Sequence, residues 1–277
     1  MQTHSFARNL LRGVKDRIVS PFRGGADGGL GWFLEKWLKH IPAGREWTLR
    51  LNGLSFRFRN PAEFLHTYRE IYGHGIYDIP LGPAPLILDC GANIGIATLY
   101  LKQRYPDAEV IAFEPDATNF ALLEANVGSA GFGGVTLRRE AVWKEDGDIR
   151  FSVDASMGSR IEDGVAEGGR TQSVPAVRLR DLIDRRVDFL KLDIEGAEYE
   201  VLKDIEGVLG QVRHLFLEYH GDFVDGGRLA EIVSILSRNG FAYYIREAAD
   251  PHPHPFRRVG PKPMYDVQLN IFCFRDA

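Results

Sequence analysis

Pro85-Leu-Ile-Leu-Asp-Cys-Gly-Ala-Asn-Ile-Gly-Ile-Ala-Thr-Leu-Tyr-Leu101, followed after a short bridge by Val110-Ile-Ala-Phe-Glu114, is the stretch whose reading decides the fold of this chain of 277 residues. The apolar run Leu86 to Leu88 stops at an acid, Asp89. Gly91 and Gly95 follow, with Asn93 between them. Ile96, Leu99 and Tyr100 then recur at helical spacing. A second apolar run, Val110 to Phe113, again stops at an acid, Glu114. Strand, glycine turn, helix, strand and terminal acid together make the opening unit of a nucleotide-binding α/β domain.

The ligand follows from the chemistry of that unit. A turn at the carboxyl end of a parallel strand must let a ligand approach the backbone, and glycine tolerates the dihedrals this needs. The acid ending the second strand lies beside the turn and can accept both hydroxyls of a ribose. A dinucleotide site requires Gly-x-Gly-x-x-Gly facing a pyrophosphate. The pattern here is Asp89-x-Gly91-x-x-x-Gly95. An acid ahead of the glycines repels phosphate and suits a cation, so a nicotinamide-dependent oxidoreductase is disfavoured. S-adenosyl-L-methionine carries a sulfonium and an ammonium and no phosphate.

Three segments carry a resemblance to a known family: Asp89-x-Gly91-Ala92-Asn93-x-Gly95, Phe113-Glu114-Pro115, and Lys191-Leu-Asp-Ile-Glu-Gly-Ala-Glu198. Together they resemble the FkbM-type family of S-adenosylmethionine-dependent methyltransferases, from roughly Phe56 to the C-terminus. The first segment is common to class I methyltransferases at large; the third is far more particular. The resemblance implies a class I, Rossmann-like three-layer α/β sandwich with a seven-stranded, mostly parallel sheet. It also implies O-methylation of a hydroxyl on a sugar, polyketide or other small metabolite.

Composition bounds the alternatives. The net charge of −4 gives no general nucleic-acid footprint. Cys90 and Cys273 fall in apolar surroundings and read as buried thiols in a reducing compartment. No run is long enough to span a bilayer, and no signal-peptide core is visible. A cytoplasmic enzyme is expected.

Two regions are expected along the chain. Residues 1–45 form a helical extension, with Phe6, Leu10, Leu11, Val14 and Ile18 on one face and Arg8, Arg12, Lys15 and Arg17 on the other. Packing against the body or a second copy is preferred over a membrane surface, which makes these helices a route to a homo-oligomer. A second stripe runs from Leu30 to Ile41. Residues 46–277 hold a hairpin and the methyltransferase domain. Asn52-Gly53 is a preferred two-residue turn, and it sets Leu51 opposite Leu54, Leu49 opposite Phe56 and Trp47 opposite Phe58. The hairpin is expected over one end of the sheet, and Glu63 to Ile71 as a helix. Tyr68, Tyr72, His74 and Tyr77 are pocket-edge candidates by their position in the family, with plain packing the simpler role. Ile149 to Val153 reads as an extra strand. Asp154 to Thr171, including Ser156 to Arg160, reads as a segment over the site.

In an open α/β sheet ligands sit outside the carboxyl ends of the strands. Four strands here end in Asp89, Glu114, Asp193 and Glu218. The expected cofactor-binding residues are Asp89, Gly91, Asn93, Gly95, Glu114, Pro115, Glu140, Ala141 and Asp193. Asp89 would help orient the ammonium, directly or through water, Glu114 would hold the ribose, and Glu140 and Ala141 would lie on the adenine side. Methyl transfer to an alcohol needs a base within hydrogen-bond reach. His220 with Glu218, or Asp193 with Glu195, are the candidates, and both pairs stay open. A divalent metal is not expected. The alternative is a cation held by these same strand-end groups, with Asp193 and Glu218 as first ligands. A non-catalytic S-adenosylmethionine-binding protein is the rival from another class.

Overall fold

The computed structural model describes residues 30–152, 171–257, 260 and 262–275. The helix expected around Phe6 to Ile18 and the segment Ser156 to Arg160 lie outside the described residues. Among the described residues no helix is long and apolar enough to cross a membrane.

The centre is a seven-stranded sheet. Its strands are β3 (Leu86–Cys90), β4 (Glu109–Phe113), β5 (Val135–Arg138), β9 (Val187–Leu192), β10 (Val212–Gly221), β11 (Ala242–Ala249) and β12 (Val267–Phe274). The order is β11-β12-β10-β9-β3-β4-β5. The five strands from β10 to β5 run parallel, and β12 lies antiparallel to both β10 and β11. Strand order reverses between β3 and β9, so the carboxyl ends of these two flank the crevice where such sheets bind ligands.

Alternation along the strands splits the core in two. Leu86, Leu88, Cys90, Leu190, Leu192, Leu215 and Leu217 face helices α5 (Glu198–Ile205) and α6 (Gly226–Arg238). Ile87, Val110, Ala112, Phe189 and Phe216 face the other layer. That layer holds α2 (Pro61–Tyr68), α3 (Ile96–Arg104) and α4 (Ala117–Ala130). α1 (Trp32–Leu38) joins it through Leu38, whereas Trp32, Phe33 and Trp37 of the same helix are exposed. Cys90 and Cys273 are both buried free thiols.

The hairpin β1 (Trp47–Leu51) and β2 (Leu54–Phe58) has the expected register. Asn52 and Gly53 take φ of 49° and 80°, the left-handed pair that a two-residue turn requires. It packs on the helical layer, with β2 against α4. The buried Asn126 of α4 accepts from Arg57 N at 2.6 Å and donates to Arg57 O and Ile94 O at 3.0 and 2.8 Å. α2 starts at its N-cap Asn60, whose side chain accepts from Glu63 N. It ends at Tyr68 and passes into a π turn over Arg69–Gly73, where the sequence suggested unbroken helix.

A second difference is a separate three-stranded sheet, in the order β6 (Ala141–Trp143), β8 (Thr171–Arg178), β7 (Gly147–Ser152). Ala141, Val142 and Trp143 are all buried, and three consecutive buried residues carry no periodicity to read.

Asn126→Ala removes the three hydrogen bonds that tie hairpin and glycine turn to α4 and leaves Arg57 and Ile94 backbone groups unpaired. Urea unfolding is expected to lose about 2–3 kcal/mol. A loss under about 0.5 kcal/mol would contradict this account.

Candidate active site

The paired strands set the site as one row across the sheet. Asp89 lies opposite Lys191, and Lys191 opposite Phe216. Two residues along each strand, on the same face, come Gly91, Asp193 and Glu218. Glu218 is paired with Asn270 and Asn270 with Arg246. Glu114 follows Phe113, the partner of Cys90, and closes the other end of the row. His220 stands two residues beyond Glu218, hence on the same face.

Beneath the row lies a buried ion network. Lys191 Nζ is 3.4 Å from Asp89 Oδ1 and 3.1 Å from Asp193 Oδ2, and it donates to Gly91 O at 2.7 Å. Thr98 Oγ1 donates to the other Asp89 oxygen at 2.6 Å. Burial works against the Lys191 charge, yet Asp193 and Asp89 raise its pKa well above the usual lysine value. Asp89 is wholly buried under the turn with Thr98 and Lys191 on its carboxylate. Asp89 Oδ1 makes no hydrogen bond, and Lys191 stands between this carboxylate and Asp193.

Both turn glycines take the left-handed dihedrals expected of them, and each is also closely packed. A Cβ on Gly91, at φ of 84°, would lie 1.8 Å from Asp193 O. One on Gly95, at φ of 88°, would lie 2.6 Å from Leu123 Cδ1. What comes close to these glycines is the protein itself. Asn93, at φ of 50°, donates its N–H to Glu114 Oε2 and its amide to Glu63 Oε1, at 2.9 and 2.6 Å. Its own Oδ1 is buried without a partner. Glu114 Oε1 accepts from Asp116 N at 2.9 Å. Burial pushes the Glu114 carboxyl up to about 8; its two backbone donors and Lys191 oppose the rise, and Asp116 adds to it.

Pro115 is half-buried beside Glu114. Glu140, just past the end of β5, is paired with Arg138, and Ala141 is buried at the start of β6. Of the tyrosines, Tyr68 and Tyr72 stack on one another in the core at 4.5 Å. Tyr77 is buried against Phe189 and Phe216, and His74 is exposed.

The second cluster is built around Glu198, at the start of α5. Its carboxylate accepts from Ile194 N at 3.1 Å and Gly196 N at 3.0 Å, which clamps the turn carrying Glu195 at φ of 54°. The same Oε1 lies 3.1 Å from His220 Nδ1. That contact turns His220 Nε2 toward Glu218 Oε1 and Glu195 Oε2, at 3.5 and 3.8 Å. Tyr265 donates to Glu195 O at 2.8 Å and lies against the His220 ring at 4.9 Å. Burial opposes a charge on His220, yet Glu198, Glu218 and Glu195 raise its pKa well above the ordinary value. Burial raises Glu195 to about 7 against the pull of His220, and raises Glu218 with Asp193 adding to it. Asp193, Glu195, Glu218 and His220 thus converge.

Sequence reasoning gave no role to Lys191, Glu198, Thr98, Asn270 or Tyr265. Lys191 had a signal: a lone cation in the apolar run Val187 to Leu192 needs a buried anion. The others are placed by pairing and packing that no local pattern shows.

A model of the "Methyltransferase FkbM domain" family matches residues 89–243, over half of the chain. The match contains Asp89, Glu114, the Lys191–Glu198 segment and His220. The chain is 32% identical over 263 residues to the AMB antimetabolite synthetase AmbE of Pseudomonas aeruginosa. That match covers 78% of this chain but 12% of the synthetase, so this chain spans a small part of that relative. It is 31% identical over 233 residues to the 31-O-demethyl-FK506 methyltransferase FkbM of Streptomyces tacrolimicus, over 70% of this chain and 88% of that one. The crystal structure of a methyltransferase FkbM from Methylobacillus flagellatus aligns with a TM-score of 0.46 at 19% identity, over 71% of this chain and 45% of that one. By the family model over residues 89–243 and the likeness to the Streptomyces methyltransferase, the chain belongs to the FkbM family of methyltransferases.

Proposed function

We propose that this chain transfers the methyl group of S-adenosyl-L-methionine to a hydroxyl of a small molecule. The observation that carries the reading is the single row Glu114, Gly91, Asp193 and Glu218 across the strand ends, with His220 beyond it. The residues present fit the cofactor. Glu114 offers a carboxylate pre-set by two backbone donors for a ribose, and Asn93 Oδ1 is a buried acceptor in need of a donor. Asp193 lies between that end and the acceptor end. Pro115, Glu140 and Ala141 line the strand exits on the adenine side.

When bound, the cofactor supplies a methyl group on a sulfonium leaving group. The chain's residues position an acceptor oxygen in line with it and take the acceptor's proton. Glu195, Glu218 and His220 are the groups that face this place, with His220 held by Glu198. Oxygen as the acceptor atom is supported by the Streptomyces relative, a 31-O-demethyl-FK506 methyltransferase.

Calorimetry with S-adenosylhomocysteine and a methyl-transfer assay over hydroxylated acceptors test the reading. Glu114→Gln is expected to weaken binding about tenfold or more, since an amide cannot accept from both backbone N–H groups and a ribose. His220→Asn is expected to keep affinity within about twofold and to lower turnover about a hundredfold. Wild-type affinity and rate in both variants would refute this map.

The raised Glu114 pKa adds a pH signature. Hydroxyl donors favour the ionised carboxylate, whereas burial alone favours the protonated one. Below about 8, binding must therefore release a proton, and affinity rises with pH until it levels above that value. Calorimetry in two buffers of different ionisation enthalpy reads the release. A wild type without it, or a Glu114→Gln protein that retains it, would contradict the assignment.

A further inference from the structure

We infer that the acceptor side of the crevice is a divalent-cation site, with Asp193, Glu195 and the Nε2 of His220 as ligands and a Mn²⁺- or Mg²⁺-class ion as occupant. The donor atoms of these three side chains all lie within 4.8 Å of one another. Bonds of about 2.1–2.4 Å from one ion span donor pairs up to about 4.8 Å apart, so a single ion reaches all three with small side-chain rotations.

Three further features point the same way. His220 Nδ1 is held by the buried Glu198, which leaves Nε2 toward the carboxylates; metal-bound histidines are oriented by this kind of carboxylate partner. The contacts of Nε2 to Glu218 and Glu195, at 3.5 and 3.8 Å, are too long for good hydrogen bonds. Independently, Asn270 is 2% exposed, is the cross-strand partner of Glu218 and so lies on the same sheet face, and has an Oδ1 with no partner. An orphaned buried acceptor is costly, and a cation or its bound water supplies what that oxygen lacks. The charge balance agrees: Glu70, Asp193, Glu195, Glu198 and Glu218 face one imidazole, the Lys191 that Asp89 also shares, and Arg246 near Glu70. One imidazole with carboxylate oxygens, and both thiols buried in the core, selects a hard ion over a thiolate-seeking one.

In the methyltransferase read above, such an ion would hold the acceptor oxygen beside Glu218 and lower the pKa of its hydroxyl. Only this role rests on that reading; binding of the ion does not.

The test is Mn²⁺ titration of the full chain followed by electron paramagnetic resonance, with S-adenosylhomocysteine calorimetry on the same samples. One Mn²⁺ per chain is expected, displaced by excess Mg²⁺. Glu195→Gln and Asp193→Asn are each expected to weaken it about tenfold or more, and Asn270→Leu to weaken it less. Asp193→Asn also perturbs Lys191, so the partly exposed Glu195 carries the comparison if the Asp193 variant fails to fold. No stoichiometric Mn²⁺ on wild type, or equal Mn²⁺ affinity in wild type and Glu195→Gln, overturns the cation site. S-adenosylhomocysteine binding without Mn²⁺ sinks the ion alone, whereas loss of both sinks the methyltransferase reading as well.

Discussion

A single buried ammonium ties the crevice together. Lys191 reaches Asp89, Asp193 and the carbonyl of Gly91 at once, and so joins the exits of β3 and β9 at the point where strand order reverses. Asp89 and Lys191 are almost fully buried, and each charge is tolerable only because the other is there. The contact explains why an acid is needed before the glycines: it anchors the cation that holds the turn. It also explains Gly91, whose missing side chain lets the Asp193 carbonyl close onto the turn.

From that anchor the row runs in both directions. Toward β5 it reaches Glu114, whose two oxygens are each committed to one backbone N–H and still face the turn. Toward β12 it meets Glu218 and Asn270, and the turn after β9 swings Glu195 in against His220. Glu198 does for this half what Lys191 does for the other. It is a buried charge that fixes backbone, through Ile194 and Gly196, and a functional side chain, His220, in one stroke. A neutral residue at either position would leave buried polar groups without partners.

Much of the frame was legible in the sequence for a physical reason: its signals are local. Strands that end in an acid, glycines at set offsets and Asn-Gly between alternating apolar residues are read residue by residue, and β3, α3, β4 and both hairpin strands fall where those signals put them. What was not legible depends on pairing at a distance. Asp89 is a strand-end acid whether it meets solvent or Lys191, and only the β3–β9 register decides. Asn270 is one polar residue in a closing strand until β12 sets it opposite Glu218. The three-stranded sheet stayed hidden because β6 is three buried residues with no alternation.

The most direct measurement is a co-crystal structure with S-adenosylhomocysteine. The account predicts both ribose hydroxyls on Glu114, the amino-acid portion over the Gly91 turn, and the sulfur facing the side of the crevice that holds Asp193 and His220. Ligand bound elsewhere on the molecule, or a sulfur directed away from those two residues, would contradict it.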